Sequence, residues 1–463
     1  MLAEIFGSIP KLGKEIRCKL PLILEAVIGM GNAVTTRSIA RVSGIAERTL
    51  HRFYAKTHQW DEIRFMLYEH SVSEELEEIF GIDEVVEDKC GKSTYGMGLF
   101  FGGLYKKVVK GVAFFQISAI NVQTGASYPL GLIQLIKDEN DKKKNLDLKT
   151  KKADLAERKT AAAKAGIAFE GLPKGRKKGQ ANVPKDATDP LDAHDSMLLR
   201  HTKGLLTRIL GFFATSKRTC PKYIVGDGAF GNQHYVTVAT ENNLHLVSKL
   251  KHNASLKLPF VGERPKGKKG PCTIYGETIK YNNLPKKYLV DSTTEGNIRT
   301  NTYQFKAYNT TVSKKLLNIV VIQHLHLPTG DISHVVLFST NVDLHWEKLI
   351  KYYQLRNVIE IDFRESKQYL GLRDFKNYKE KQVTNAVNIA VTSKLVSQIM
   401  QTNLQHLLGT NELSFLDVRA YYRAQLYAQN LLKLIPNPPI QLLNPHLIAK
   451  LALTEAINLK NAA

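Results

Sequence analysis

The sequence predicts an α/β protein, a mixed sheet flanked by helices, with a β-rich insertion and helical regions at both ends. Three observations point there. Residues 1–72 carry short runs of helical periodicity set off by Gly and Pro. The pattern then changes to strand-like runs with turn punctuation, "EEIFGIDEVV", "VAFFQISAINVQTG" and "ASYPLGLIQLI". Residues 376–463 return to helix, including "VTNAVNIAVTSKLVSQIM", with a proline-rich break at "IPNPPIQLLNP". The expected organisation is a helical segment at 1–72, a sheet-bearing unit at 73–375 and a helical region at 376–463. The middle unit carries a basic insertion at 138–190 and a β-rich one at 250–332.

Charge narrows the function. The chain has 463 residues, 65 of them Lys or Arg against 43 acids, for a net charge of +22. Such an excess points to a polyanion, most often nucleic acid. An anionic membrane is the rival, yet runs such as "LLNIVVIQ" are far shorter than the roughly 18 residues a spanning helix needs. No signal-peptide order is visible, and Cys18, Cys90, Cys220 and Cys272 are too scattered for a disulfide framework or a zinc site. The expected location is the cytoplasm.

In chain order, "TTRSIARVSGIAERTLHRFY" reads as a helix–turn–helix. Ile39, Ala40 and Val42 suit a packed helix, Gly44 a tight turn, and Leu50 and Phe53 the inner face of a second helix. The outer face would present Glu47, Arg48, Thr49, His51 and Arg52, with Arg48, Thr49 and Arg52 the candidate DNA contacts. After the three strand-like runs, "DENDKKKNLDLKTKKADLAERKTAAAKAG" suits an exposed helix and "GLPKGRKKGQANVPKDATD" a linker. In "DAHDS", Asp192, His194 and Asp195 suit helix capping better than metal binding. "KYIVGDGAFGN" is a buried-type strand that breaks at Gly226-Asp227-Gly228. "TIYGETIKYNN", "TYQFKAYN" and "LLNIVVIQHLHL" then form the β-rich block, where His324 and His326 lack a third ligand, and "SHVVLFSTNVDL" leads into "KYYQLRNVIEIDFRESK".

The acids stand at chosen places. Asp83 ends the first strand and Asp227 the strand after the middle helix, while the last stretch offers Glu360, Asp362 and Glu365. Carboxylates converging at strand ends suit hard divalent cations, and Mg²⁺ prefers oxygen ligands. On a continuous helix, with Tyr353 at zero, Arg356 falls at about 300°, Glu360 at about 340° and Lys367 at about 320°. Asp362 falls at about 180° and Glu365 at about 120°, so only Glu360 shares the stripe with Tyr353, Arg356 and Lys367.

These residues resemble a known family. Tyr353-x₂-Arg356-x₃-Glu360-x₆-Lys367 is similar to the Tyr-Arg-Glu-Lys signature of the DDE transposases of bacterial insertion sequences, family four. "VGDGAFGN", "LVSKLKHNASL" and "GIDEVVEDKCGKSTYG" resemble that family's other blocks, in order, over roughly residues 75–400. The resemblance implies a ribonuclease-H-like catalytic fold and Mg²⁺-dependent cut-and-paste transposition, with two Mg²⁺ ions for which Mn²⁺ substitutes. Asp83, Asp227 and Glu360 would be the catalytic metal ligands. Tyr353, Arg356 and Lys367, with Lys251 and Asn253, would hold DNA. The partners implied are the terminal inverted repeats and target DNA, bound by a homodimer in the nucleoid of a bacterial cell. A hairpin intermediate is part of the same expectation. The first-acid motif here reads Asp83-Glu84-Val85 rather than Asp-Asp-Thr, which makes Asp88 a rival to Asp83. No tryptophan of the β-rich block is available to stack on a base, since Trp60 and Trp346 lie outside it. A catalytically inactive, DNA-binding repressor of the element is the alternative.

Overall fold

The computed structural model describes residues 2–455 apart from 75, 92, 104–106, 166–194, 263–273, 411, 438 and 454. The Gly/Pro/Lys-rich linker, most of the basic insertion's second half, and Asp192 and His194 lie outside the described residues.

Five helices open the chain: α1 (Leu2–Ser8), α2 (Lys14–Gly29), α3 (Thr36–Ser43), α4 (Glu47–Tyr54) and α5 (Trp60–Ser71). A capping box between Thr35 and Ser38 starts α3. Gly44 ends it at φ 71°, its N–H bonded to the Ala40 carbonyl at 3.1 Å, a left-handed conformation that Gly adopts without strain. Ile39, Leu50 and Phe53 are buried, as their spacing predicts.

The first sheet strands are β1 (Glu78–Asp88), β2 (Gly98–Gly102), β3 (Lys107–Asn121) and β4 (Ser127–Leu135). Helices α6 (Glu139–Lys164) and α7 (Met197–Thr215) follow, then β5 (Tyr223–Val225), α8 (Gln233–Glu241) and β6 (His245–Lys249). From Gly111 onward β3 is buried at every position, as a central strand covered on both faces must be. The order β4-β3-β1-β5-β6 has β3 antiparallel to β1 and β4 antiparallel to β3, with β5 and β6 parallel to β1.

The block after β6 lengthens the same sheet. Its strands are β7 (Lys257–Pro259), β8 (Tyr275–Thr278), β9 (Leu289–Glu295), β10 (Ile298–Asn309), β11 (Ser313–His326) and β12 (Ile332–Ser339). β12 joins the sheet by pairing antiparallel with β6 on one side and β11 on the other. The chain ends in α9 (Trp346–Leu355), α10 (Asn357–Tyr369), α11 (Glu380–Leu408), α12 (Phe415–Leu432) and α13 (Pro445–Ala452).

The terminal helices share one core. α11 is buried along most of its length and packs on β4, α2, α5 and α12. Trp60 Nε1 donates to Asn385 Oδ1 at 2.7 Å, and fully buried Arg64 donates to Asn388 Oδ1 at 2.7 Å and to the Leu130 carbonyl at 3.0 Å. Arg419 reaches the Ile28 and Met30 carbonyls at 3.1 and 2.6 Å. No helix of the described residues is long and apolar enough to cross a membrane.

Candidate active site

Asp83 and Asp227 stand side by side because of sheet register. Gly81 pairs with Val225 across the parallel strands β1 and β5; Asp83 lies two residues further along β1, and Asp227 two residues beyond Val225, in the loop that leaves β5. Neighbouring strands run about 4.8 Å apart, so the two carboxylates share one rim. The rim is the carboxyl end of β5, where open α/β sheets place their sites; β1 runs on to Asp88, so Asp83 lies within the first strand instead of ending it as expected, because pairing with β3 continues to Gly111. Asp227 Oδ1 accepts from the Ala229 N–H at 2.8 Å, and its carbonyl accepts from Ser248 Oγ at 2.6 Å. Neither flanking glycine, Gly226 or Gly228, has a positive φ. At Gly226 a Cβ would sit 2.9 Å from the Phe230 ring, so close packing, not turn geometry, requires glycine there.

The third acid arrives on α10. A Cβ on Gly81 would lie 2.5 Å from Ile359 Cδ1, so the missing side chain lets α10 lie close on β1, just before Asp83. Glu360 follows Ile359 and is exposed. The helix is not continuous, as the phase argument assumed. It breaks at Arg356, whose N–H bonds to Tyr353 O at 3.3 Å while its own carbonyl accepts from Ile359 N at 3.1 Å. Those bonds span three residues instead of four, and the backbone stays right-handed at φ −51°, ψ −36°, so the axis is only locally tightened. The Arg356 guanidinium still pairs with Glu360 and lies 5.8 Å from the Tyr353 ring centroid. Lys367 turns to β1, pairing with the Glu87 carboxylate and donating to Val86 O at 3.3 Å.

Electrostatics ties these groups together. Burial, aided by the charges of Asp227 and Glu360, pushes the Asp83 carboxyl up to about 7, against opposing pulls from the Glu84 N–H and Arg356. Burial lowers the proton affinity of Arg356, but its bond to Glu360 and that residue's charge raise it on balance. Burial raises Tyr353, which also feels Asp227 and Glu360. Glu84, noted in the sequence only as the second residue of the first-acid motif, is exposed, yet partial desolvation and the charge of Asp227 raise its carboxyl, making it a fourth acid near the rim. The signal available for it was its place next to Asp83.

The other acids go elsewhere. Asp362 is buried, accepts from Ser127 Oγ at 2.5 Å and faces Lys394 Nζ at 3.6 Å; Glu365 pairs with the same lysine. Asp362→Asn is therefore expected to retain whatever strand-cleaving activity the chain has, and loss of cleavage at unchanged folding would overturn its assignment to the core. Asp88 is exposed at the far end of β1, with Arg373 Nη2 3.9 Å away. Lys251 and Asn253 are exposed in the turn after β6, a strand parallel to β5 whose Lys249 carbonyl lies close to Gly228 and Gly231. Arg48 and Arg52 are exposed and Thr49 half-buried on α4, apart from the rim. Ser196, rather than an acid of the "DAHDS" cluster, caps α7, and Asp195 pairs with Lys203. His324 and His326 bond to Thr300 and Thr329.

Among the described residues no three His, Cys, Asp or Glu side chains stand together closely enough to hold a metal as placed. The donor set at the rim, oxygen-only and carboxylate-rich, nonetheless fits a hard divalent cation by its chemistry. Asp83 also gives a stability test. A carboxyl whose proton is held more tightly in the folded chain favours folding below its unfolded value, near 3.9, and that contribution is lost as pH rises through about 7. Asp83→Asn does not titrate, so in chelator its melting temperature relative to the unmodified chain is expected to gain more at pH 8 than at pH 5. An equal difference at both values would mean that Asp83 is not held in a desolvated, acid-lined rim.

The sequence model of one family, described as "DDE superfamily endonuclease", matches residues 9–310. A search of curated protein sequences gave no match. Among solved structures the chain is similar to a piggyBac transposase synaptic complex with hairpin DNA, determined by cryo-EM, at 11% identity and a TM-score of 0.38, over 96% of this chain and 80% of that one.

Proposed function

The chain belongs to the DDE superfamily of endonucleases, and from that premise we propose that it is a DNA transposase of the insertion-sequence type, in the group with the Tyr-Arg-Glu-Lys signature. The observation that carries the reading is the placement of Asp83 on β1 beside Asp227 in the loop just after the parallel strand β5, with Glu360 delivered beside them by α10. The strand order β4-β3-β1-β5-β6, with the second strand antiparallel, supports a ribonuclease-H-like core.

In this reading Asp83, Asp227 and Glu360 would hold Mg²⁺, with Mn²⁺ as a substitute. Two bound ions supply Lewis-acid activation of the attacking oxygen and stabilise the leaving one. The protein's own groups do the rest. Arg356 pairs with Glu360, and a phosphodiester entering the rim offers the guanidinium a competing, bidentate oxyanion partner. Exchange of partners frees the Glu360 carboxylate as the phosphate is gripped. Tyr353, on the same side as Arg356, donates its hydroxyl to phosphate, and Lys367 braces α10 against the end of β1 through Glu87. Hydrolysis at each element end gives a 3′-hydroxyl, which attacks the opposite strand to form a hairpin and release the flanking DNA; water then reopens the hairpin, and the regenerated 3′-hydroxyl attacks target DNA. The exposed basic face of α4 and the turn at Lys251 and Asn253 hold the terminal inverted repeats, two copies pairing the two ends in the bacterial nucleoid.

Purified protein with Mg²⁺ and DNA carrying the element's ends is expected to nick and join strands. Binding of those ends without release of a 3′-hydroxyl, in Mg²⁺ or Mn²⁺, would instead establish the repressor role.

A further inference from the structure

A cavity of about 350 Å³ lies between the α3–α4 pair and the segment that joins α10 to α11. Its wall includes Arg37 and His51 from α3 and α4, and Lys376, Tyr378 and Lys379 from the joining segment. Arg37, His51, Lys376, Tyr378 and Lys379 are all exposed. Glu47 stands beside two of them, 3.9 Å from Arg37 and 3.5 Å from His51. Among the described residues neither Lys376 nor Lys379 has a carboxylate within ion-pair distance.

Two helices also begin at this cavity. Thr35 and Thr36 are the cap and first residue of α3, and Lys379 is the cap position of α11. The first turn of α3 is satisfied by its own capping box, whereas α11 has no side-chain cap. The first-turn N–H groups of α11 therefore have no side-chain cap beside the two lysines, although Glu380, held by the Tyr95 hydroxyl at 2.9 Å, stands in the same turn and offsets part of the helix's positive end. The segment itself is strapped in place. Asp374 Oδ2 accepts from Val34 N at 2.9 Å, Tyr378 O accepts from Tyr95 N at 2.9 Å, and Lys89 Nζ donates to Arg373 O at 2.8 Å. Lys89 follows β1, the strand that carries Asp83.

We infer that this cavity is a phosphodiester-binding site for duplex DNA, formed jointly by α3, α4 and the α10–α11 joining segment. The inference rests on the reading of the chain as a DNA-acting enzyme. A phosphate offers the free amides of α11 and the ammonium groups of Lys376 and Lys379 the anion they otherwise lack. Its consequence is register: a backbone phosphate held here is held by a segment bonded to both the DNA-facing helix pair and the catalytic strand.

The test is binding of the full chain to a mixed-sequence duplex as salt is raised, read by fluorescence anisotropy. Each phosphate contact contributes roughly 0.9 to the slope of log affinity against log salt. Lys376→Gln/Lys379→Gln is expected to flatten the slope by roughly 1.8. Lys217→Gln/Lys222→Gln, at the opposite end of β5 from Asp227, is expected to leave the slope unchanged. A steep slope in the unmodified chain that persists in the Lys376/Lys379 variant, or that flattens equally in the control, overturns the site alone. No binding by the unmodified chain overturns the DNA-acting reading and the site with it. Inorganic phosphate at constant ionic strength is expected not to displace the duplex; displacement from the unmodified chain but not from the variant would make the ligand a free anion and overturn the assignment to DNA.

Discussion

Glu360→Gln is expected to bind element ends as the unmodified chain does and to release no 3′-hydroxyl, a fall in cleavage rate of at least about a thousandfold. Such a fall corresponds to about 4 kcal/mol of lost transition-state stabilisation. The amide keeps the size of the side chain and its hydrogen bond to Arg356, so folding and phosphate contacts are preserved. What is lost is one anionic oxygen ligand among three, and with it the charge that balances a divalent ion at the rim. Gel analysis of end cleavage in Mg²⁺, alongside a binding isotherm, separates the two effects. Normal cleavage by the variant would remove Glu360 from the metal-binding set, and Glu84, the other acid beside Asp227, would replace it as the candidate.

Lys394→Met is expected to be the most destabilising of the single changes considered, by about 3–5 kcal/mol at pH 8, because it leaves buried carboxylates without their cation. Lys394 is 5% exposed, and Asp362 only 1%. The lysine faces Asp362 at 3.6 Å and pairs with Glu365, so one ammonium serves two acids on the inner face of α10. Burial pushes Asp362 up to about 6 even with the lysine present. Protonation therefore relieves the variant as pH falls, and the loss is expected to shrink near pH 5. Urea denaturation at the two pH values measures it. A loss below about 1 kcal/mol at pH 8 would mean that α10 is fixed by its apolar contacts alone, since exposed pairs contribute no more than that.

The parts of the site carried by local pattern were readable in the sequence. A buried-type strand stopping at Gly-Asp-Gly located Asp227, and the helix–turn–helix spacing located Gly44, Leu50 and Phe53. Phase along the last stretch separated Glu360 from Asp362 even though the helix breaks at Arg356, because the break keeps right-handed backbone and shifts the phase little. What escaped depended on partners distant in sequence. β6 is five residues long and passes for loop, while β9 is mostly exposed and polar, so neither alternates strongly enough to announce itself. The role of Lys394 was hidden for the same reason. Its trace in the sequence is a single lysine inside "VTNAVNIAVTSKLVSQIM", a helix otherwise free of charged residues over that stretch, where a buried charge is kept only by a counter-charge. The joining segment around Lys376 and Lys379 reads as ordinary surface until α3 and α4 are seen against it.

The shared core of the terminal helices sets the order in which the molecule can be made. The Arg419 side chain that caps the end of α2 belongs to a residue synthesised 391 positions after Ile28. While the ribosome is still working through the sheet, α2 can pack on α1 and α3, and α5 on β4 and α7, but the faces of both that α11 covers stay open until Glu380–Leu408 are made. The core shared by the terminal helices is thus completed only after the sheet has been synthesised. Chains cut short before residue 380 would then lack the helix that closes the core over α2 and α5.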